Sequence, residues 1–222
     1  MARHRSADYD TQRDEILSLA VRAFGELGYP SASMAALAAA CGTSKARLYH
    51  YYPSKEAILF DSLERYTGQL NRIVGEVRSR RLAPRDELRA MVREFLAEYR
   101  HSRAYHVALL NDVKFLEAPA RARIRARERD IVEAFADTLG RAYPQRMRPE
   151  VRTPLTMALL GMINFTFAWL RPDGPMSHQQ YAEMVIDLWE HGLAGAPADA
   201  KPPAPPLRSA RGRNEHRQES LR

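Results

Sequence analysis

The sequence predicts an all-α fold: a three-helix head built around a helix-turn-helix, followed by a larger helical body, about nine helices in total. Three observations carry this reading. Apolar residues recur at helical spacing from Ile16 to Trp189, no convincing strand pattern or long repeat interrupts them, and proline or glycine stands at the joints. The 222 residues are 45% hydrophobic and 27% charged, a composition suited to a soluble globular protein with a substantial core.

The first helix is expected to begin near Asp10 or Thr11, where Thr11 and Asp14 have capping-box spacing. It carries Ile16, Ala20, Ala23, Phe24 and Leu27 on one face before Gly28 ends it. Residues 33–40 and 44–52 form the helix-turn-helix pair: Ser33 and Ser44 can cap, Gly42 supplies the bend, and Pro53 stops the second helix. Ser54 caps a fourth helix in which Ile58, Leu63, Tyr66, Leu70, Ile73 and Val77 keep helical spacing toward Arg81. Such a helix can join head to body rigidly.

Beyond Pro84 the body reads as helices over 85–101, 103–117, 120–142, 153–171 and 178–193, separated by Pro119, Pro144, Pro149 and the Pro172-Asp173-Gly174-Pro175 turn. Ser177 and Gln180 make a further capping box. From Ala196 the composition turns to Pro, Ala, Arg and polar residues, which predicts a disordered basic tail. The expected division is a head over 10–56, a body over 57–195 and the tail over 196–222.

The net charge of +7 and pI near 9.7 point to an anionic partner, yet residues 1–60 are nearly balanced. The excess lies between Arg72 and Arg129 and in the tail, so two anionic partners are worth considering. Cys41, the one cysteine, cannot form an internal disulfide and reads as a reduced residue packed at the turn. No export leader is recognisable, and the cytoplasm is the expected compartment.

Residues 155–170 are apolar on nearly all sides, but the run is shorter than the roughly 20 residues of a membrane span, contains Asn164 and sits between Arg152 and Arg171. Its expected cover is a second subunit, with burial inside one chain as the alternative. Leu159, Ile163 and Trp169, with Met184, Val185, Leu188 and Trp189 of the last helix, are the expected dimer interface.

Past Ser44, the side chains of Lys45, Arg47, Tyr49, His50 and Tyr51 are all donors, and no acid follows until Glu56. Phosphates ask for that inventory, and Arg47 is long enough to meet a guanine edge with two bonds. Leu48 and Tyr52 are expected to face the small core. Gly-rich phosphate loops, metal-ligand spacing and nucleophile motifs are all absent, so an enzyme, a cofactor and a metal site are not expected.

These residues also carry a resemblance. Ile16-Leu17, Ala20, Phe24, Gly28-Tyr29, Ser33-Met34, Leu37-Ala38, Gly42, Ser44-Lys45, Leu48 to Tyr52, Ser54-Lys55-Glu56 and Leu59 resemble the head of TetR-family transcriptional regulators in order and spacing. The resemblance implies DNA contacts from Lys45, Tyr49, His50, Tyr51 and Lys55. Ser33, Ser44, Ala46 and Arg47 complete the expected surface, the last two departing from the smaller residues common there. In the body, Asp8-Tyr9, His106 to Asn111, the 121–132 segment and Gly161 to Gly174 resemble the phenylacetic-acid-degradation repressors (PaaR) and related acyl-CoA-responsive members. A homodimer that releases an inverted-repeat operator on binding a coenzyme A thioester is what this implies. Two alternatives stay open: a regulator of the same class answering another hydrophobic molecule, and a ligand-independent architectural DNA binder.

The expected effector pocket draws on Phe95, Tyr99, His106, Leu110, Asn111 and Phe115, with Met162 and Phe165 approaching from the eighth helix. Asn111-Asp112 within an apolar helix suggests buried polar groups awaiting a partner. Arg121 and Arg125, on one helical face with Arg129, are either a solvated surface or a clamp for the phosphates of coenzyme A. Glu128 falls on the apolar stripe of Ile124, Ile131 and Phe135 and would want a partner such as Arg125.

Overall fold

The computed structural model describes residues 2–171 and 173–195, with side chains over 9–171 and 173–192. Pro172 of the expected turn and the expected tail over 196–222 lie outside the described residues. Nine α-helices are present among those described: α1 Ala2–Leu27, α2 Met34–Ala40, α3 Lys45–Tyr51, α4 Lys55–Ser79, α5 Pro84–His101, α6 Arg103–Asp112, α7 Ala118–Ala142, α8 Pro149–Asn164 and α9 His178–Gly195. Two 3-10 turns, Val113–Phe115 and Phe165–Ala168, follow α6 and α8.

The caps act where the side chains suggested. The hydroxyls of Ser33, Ser44 and Ser54 accept from the amides of Ala36, Arg47 and Ala57 at 3.1, 3.1 and 3.2 Å. Ser177 and Gln180 exchange both capping-box bonds, at 2.9 and 3.1 Å. Gly42 lies at φ +61°, a left-handed conformation that a side chain resists, and there the amide of Thr43 turns back to the carbonyl of Ala38 at 2.9 Å.

Helix ends differ most from expectation in α1, α6 and α8. α1 starts at Ala2 rather than near Asp10, leaving Thr11 inside the helix, because no proline or glycine precedes it and Tyr9 extends the contact with α3. α6 ends at Asp112 rather than 117, since the chain must turn before Pro119, which stands in the first turn of α7 where no amide is needed. α8 begins at Pro149 and ends at Asn164, whose carbonyl accepts from His106 Nε2 at 2.9 Å where the helix tightens to 3-10.

One continuous core runs from Ile16, Leu17 and Phe24 through Leu37, Leu48 and Leu59 to Phe95, Phe135 and Ile163. α4 touches α1 of the head on one side and α5, α6 and α7 of the body on the other. Ile58, Leu59, Leu63, Leu70 and Val77 of α4 are buried, and each such side chain contributes roughly 1.5–3 kcal/mol. Movement of α4 therefore cannot leave the head behind.

Candidate functional site

The surface of α3 is set by its spacing. Leu48 is fully buried, and Tyr52 just past the helix turns inward, its hydroxyl donating to Asp61 at 2.6 Å and accepting from Arg13 at 3.0 Å. Lys45, Ala46, Arg47, Tyr49 and His50 are exposed, beside Ser33 and Ser44. Among the described residues no carboxylate pairs with Lys45 or Arg47, and Lys45 lies over the Tyr49 ring at 5.9 Å. The two remaining members are more engaged. Tyr51 stacks on Tyr9 and donates to Gln12, while Lys55 donates to the carbonyls of Tyr29 and Pro30 at 3.0 and 3.1 Å. Lys55 thus holds the turn after α1, a tie that its position in the sequence did not announce.

Cys41 sits partly buried at the turn between α2 and α3 with its Sγ 3.7 Å from the carbonyl of Ile16, and burial raises its thiol pKa. A packing role fits better than redox chemistry.

Ion pairs bind α4 on both sides. Toward the head, Arg13 meets Asp61 at 2.9 Å, and Arg65 meets Asp61 and Asp14. Toward the body, Arg123 and Arg127 of α7 both reach Glu64, and Arg127 also donates to the Glu64 carbonyl at 2.6 Å. The arginine run is therefore largely consumed in holding the fold. Arg121 donates to the Leu116 carbonyl at 2.9 Å, and Arg125 pairs with Glu128 at 2.9 Å, the partner expected for that carboxylate.

Inside the body, Phe95, Tyr99, His106 and Leu110 line a cavity of about 60 Å³ together with Leu70, Leu109, Glu128, Ile131, Val132, Leu160 and Asn164. Tyr99 donates to Asn164 Oδ1 at 2.7 Å, and the His106 ring stacks on Tyr99 at 3.9 Å. Burial pushes His106 down to about 4, against its bond to the Asn164 carbonyl, so the imidazole is neutral. Since Nε2 donates to a carbonyl, Nδ1 is the lone-pair nitrogen, and it has no partner among the described residues. Burial also raises the Glu128 carboxyl, although Arg125 opposes it.

Six expected pocket residues lie elsewhere. Asn111 is exposed, because α6 turns it outward, and its neighbour Asp112 is half-buried, its carboxyl raised by burial. Phe115 stacks on Tyr29 at 5.0 Å, at the joint between body and head. Met162 is partly buried but does not line the cavity, Phe165 is 61% exposed, and Arg121 is tied to the start of α7; Arg125 reaches the cavity only through Glu128. Leu70, Ile131 and Leu160 went unnoticed as lining residues because an apolar residue on a helix face looks the same whether it meets a neighbour or a void.

A second recess, about 300 Å³, opens between α1 and the body, lined by Asp14, Leu17, Arg65, Tyr66, Gln69, Arg72, Glu98, Ser102 and Tyr105. Tyr66 makes an edge contact with His106, so these two rings stand between recess and cavity.

The expected dimer surface divides in two. Leu159, Ile163, Val185 and Trp189 are buried within the chain, where α8 and α9 pack on each other and on α5. Trp169, Met184 and Leu188 stay exposed, and Met157 and Phe165 join them. Half of the all-round apolar helix is thus covered by its own chain.

Among the described residues no helix is long and apolar enough to cross a membrane, and no group of three or more His, Cys, Asp or Glu residues is placed to hold a metal ion.

Comparison with known proteins gives this geometry a family. The pattern described as "Bacterial regulatory proteins, tetR family" matches residues 16–61, and "Tetracyclin repressor-like, C-terminal domain" matches residues 81–193. A TetR-family transcriptional regulator from Bordetella parapertussis is 32% identical, with a TM-score of 0.77 over 80% of this chain and 93% of that one. AibR, solved in complex with isovaleryl coenzyme A and operator DNA, is 28% identical, with a TM-score of 0.72 over 80% of this chain and 97% of that one. The transcriptional repressor KstR2 of Mycolicibacterium smegmatis is 21% identical over 85% of this chain and 94% of its own length. The all-helical architecture, the helix-turn-helix head and these matches together make the chain a member of the TetR family of bacterial transcriptional regulators.

Proposed function

We propose that the protein is a homodimeric transcriptional repressor that releases an inverted-repeat operator when a coenzyme A thioester enters the body. The observation that carries this reading is the position of α4. Leu70 of this helix lines the cavity, while Asp61 and Arg65 of the same helix hold α1 of the head. At about 60 Å³ the cavity is far below the roughly 300–1,000 Å³ of a ligand pocket, so a ligand enters only by displacing its walls, α4 among them. Displaced α4 carries the head and re-spaces the two α3 surfaces of a dimer, whose half-sites must match one DNA turn.

An acyl group in the cavity leaves the polar remainder of a thioester to lie in the adjoining recess beside Arg72. That placement replaces Arg121, whose guanidinium is already used. The likeness to AibR supports the ligand class, and that to KstR2 supports repression. Phenylacetyl-CoA remains the first candidate from the body resemblance. A different hydrophobic effector is the second reading, favoured by the absorption of Arg123, Arg125 and Arg127 into ion pairs, which leaves few free cations near the cavity.

A gel-shift titration decides between them. Release of selected operator DNA by phenylacetyl-CoA or isovaleryl-CoA, and not by the free acids or coenzyme A, is expected, with a thermal stabilisation near 2.7 kcal/mol at about 100 times the dissociation constant. Release by a hydrophobic molecule and by none of the thioesters selects the second reading. On the DNA side, Lys45→Ala should weaken binding to all sequences and flatten its salt dependence.

A further inference from the structure

Arg47 is exposed on α3, 35 residues beyond Gln12 on α1, yet its Nη2 donates to Gln12 Oε1 at 2.8 Å. The same oxygen accepts from the Tyr51 hydroxyl at 2.5 Å. The Arg47 guanidinium can only donate, so it determines the orientation of the amide: a flipped Gln12 would set N–H against N–H. Tyr51 is held in turn: its ring stacks on Tyr9, one turn before Gln12, at 4.8 Å and 29°, and His50 meets both rings edge-on at 5.5 and 6.1 Å. Tyr9 and Gln12 therefore form a plate on α1 that braces the exposed face of α3.

We infer that Gln12 is a specificity-determining residue that reads no base itself: it positions the Arg47 guanidinium so that α3 recognises one particular base of the operator. This rests on the reading that α3 enters the DNA groove. A free arginine loses rotamer entropy when it is ordered on DNA, and holding one corner of its rigid fork removes part of that loss before DNA arrives. Gln12 occupies a single Nη2 hydrogen, leaving the remaining guanidinium donors for a bidentate contact with a guanine edge. An aliphatic residue at position 12 would release Arg47, while Tyr51 stays held by its stack on Tyr9.

The experiment selects duplexes from a random-sequence library with the full-length wild type, Gln12→Ala, Gln12→Glu, Arg47→Ala and the Gln12→Ala/Arg47→Ala pair, and measures affinity for the wild-type consensus, its single-base variants and unrelated DNA. Gln12→Ala is expected to lose about tenfold in affinity for the consensus, to lose preference at the same base as Arg47→Ala, and to leave binding to unrelated DNA unchanged. The double variant should be no worse than Arg47→Ala alone. Gln12→Glu accepts both bonds, so it should keep the base preference while weakening binding to every sequence through its charge. Wild-type selection by Gln12→Ala, a uniform loss on all DNA by Gln12→Ala, or additive losses in the double variant overturns the positioning role. Unchanged base preference in Arg47→Ala instead overturns the recognition role of Arg47 on which the inference stands.

Discussion

Head and body use the same residue types to opposite ends. In the head, Lys45, Arg47, Tyr49 and His50 face outward, and among the described residues no acid pairs with either cation. In the body, Tyr66, Tyr99 and His106 face inward, and many arginines find acids: Arg80 with Glu94, Arg89 with Glu190, Arg93 with Glu183, Arg141 with Glu87, and Arg152 with Glu133 and Asp137. The charge surplus of residues 72–129 suggested an anion clamp, but a charge already paired with a carboxylate is not available to a phosphate. The near-neutral head keeps the cations of α3 clear of carboxylates, while Arg123, Arg125 and Arg127 of the arginine run are held by Glu64 and Glu128.

The comparison is tested most severely at α8 and α9, where one side chain faces out and the next faces in. Leu188→Arg, at a position 56% exposed, should leave the helical fold intact and cost about 3–5 kcal/mol of association if this face is the dimer interface. Sedimentation that finds an unchanged dimer moves the interface elsewhere. Ile163→Ala, at a fully buried position expected to belong to the same interface, should instead lower folding stability by about 2–5 kcal/mol, read from urea denaturation.

His106 sharpens the contrast with exposed His50. Its folded pKa, about 4, lies below the ordinary value of 6.5, so above pH 6.5 both folded and unfolded states are neutral and nothing is gained or lost. As pH falls from 6.5 toward 4, the unfolded chain takes a proton that the native ring refuses, and stability drops by up to about 3 kcal/mol. Unfolding measured at pH 7, 6 and 5 should show a shallower acid loss in His106→Phe than in the wild type; parallel curves would mean that this ring is protonated in the fold. Ser44→Ala makes the smallest change, about 1 kcal/mol from the lost cap on α3, measurable as a small drop in melting temperature.

Local rules made much of the molecule legible. Ser33, Ser44 and Ser54 mark helix starts because a hydroxyl beside a free amide acts over three residues, and Gly42 marks a turn because only glycine takes φ +61° without strain. Helical spacing put Leu48 and Tyr52 inside the head and the donors of α3 outside. Those features depend on neighbours along the chain, and the sequence contains all of them.

Tertiary structure decided what distant segments do to one another. Only packing showed that Leu159, Ile163, Val185 and Trp189 are covered by their own chain while Leu188 and Phe165 are not, because an apolar face does not state what will cover it. Only packing sent Phe115 to Tyr29, turned Asn111 outward, matched Arg123 and Arg127 to Glu64, and set Gln12 beneath Arg47. The physical reason is the same in each case. A cap or a turn is satisfied within a few residues, whereas a buried ring, a charge or a cavity wall is satisfied by whichever helix the whole core brings beside it.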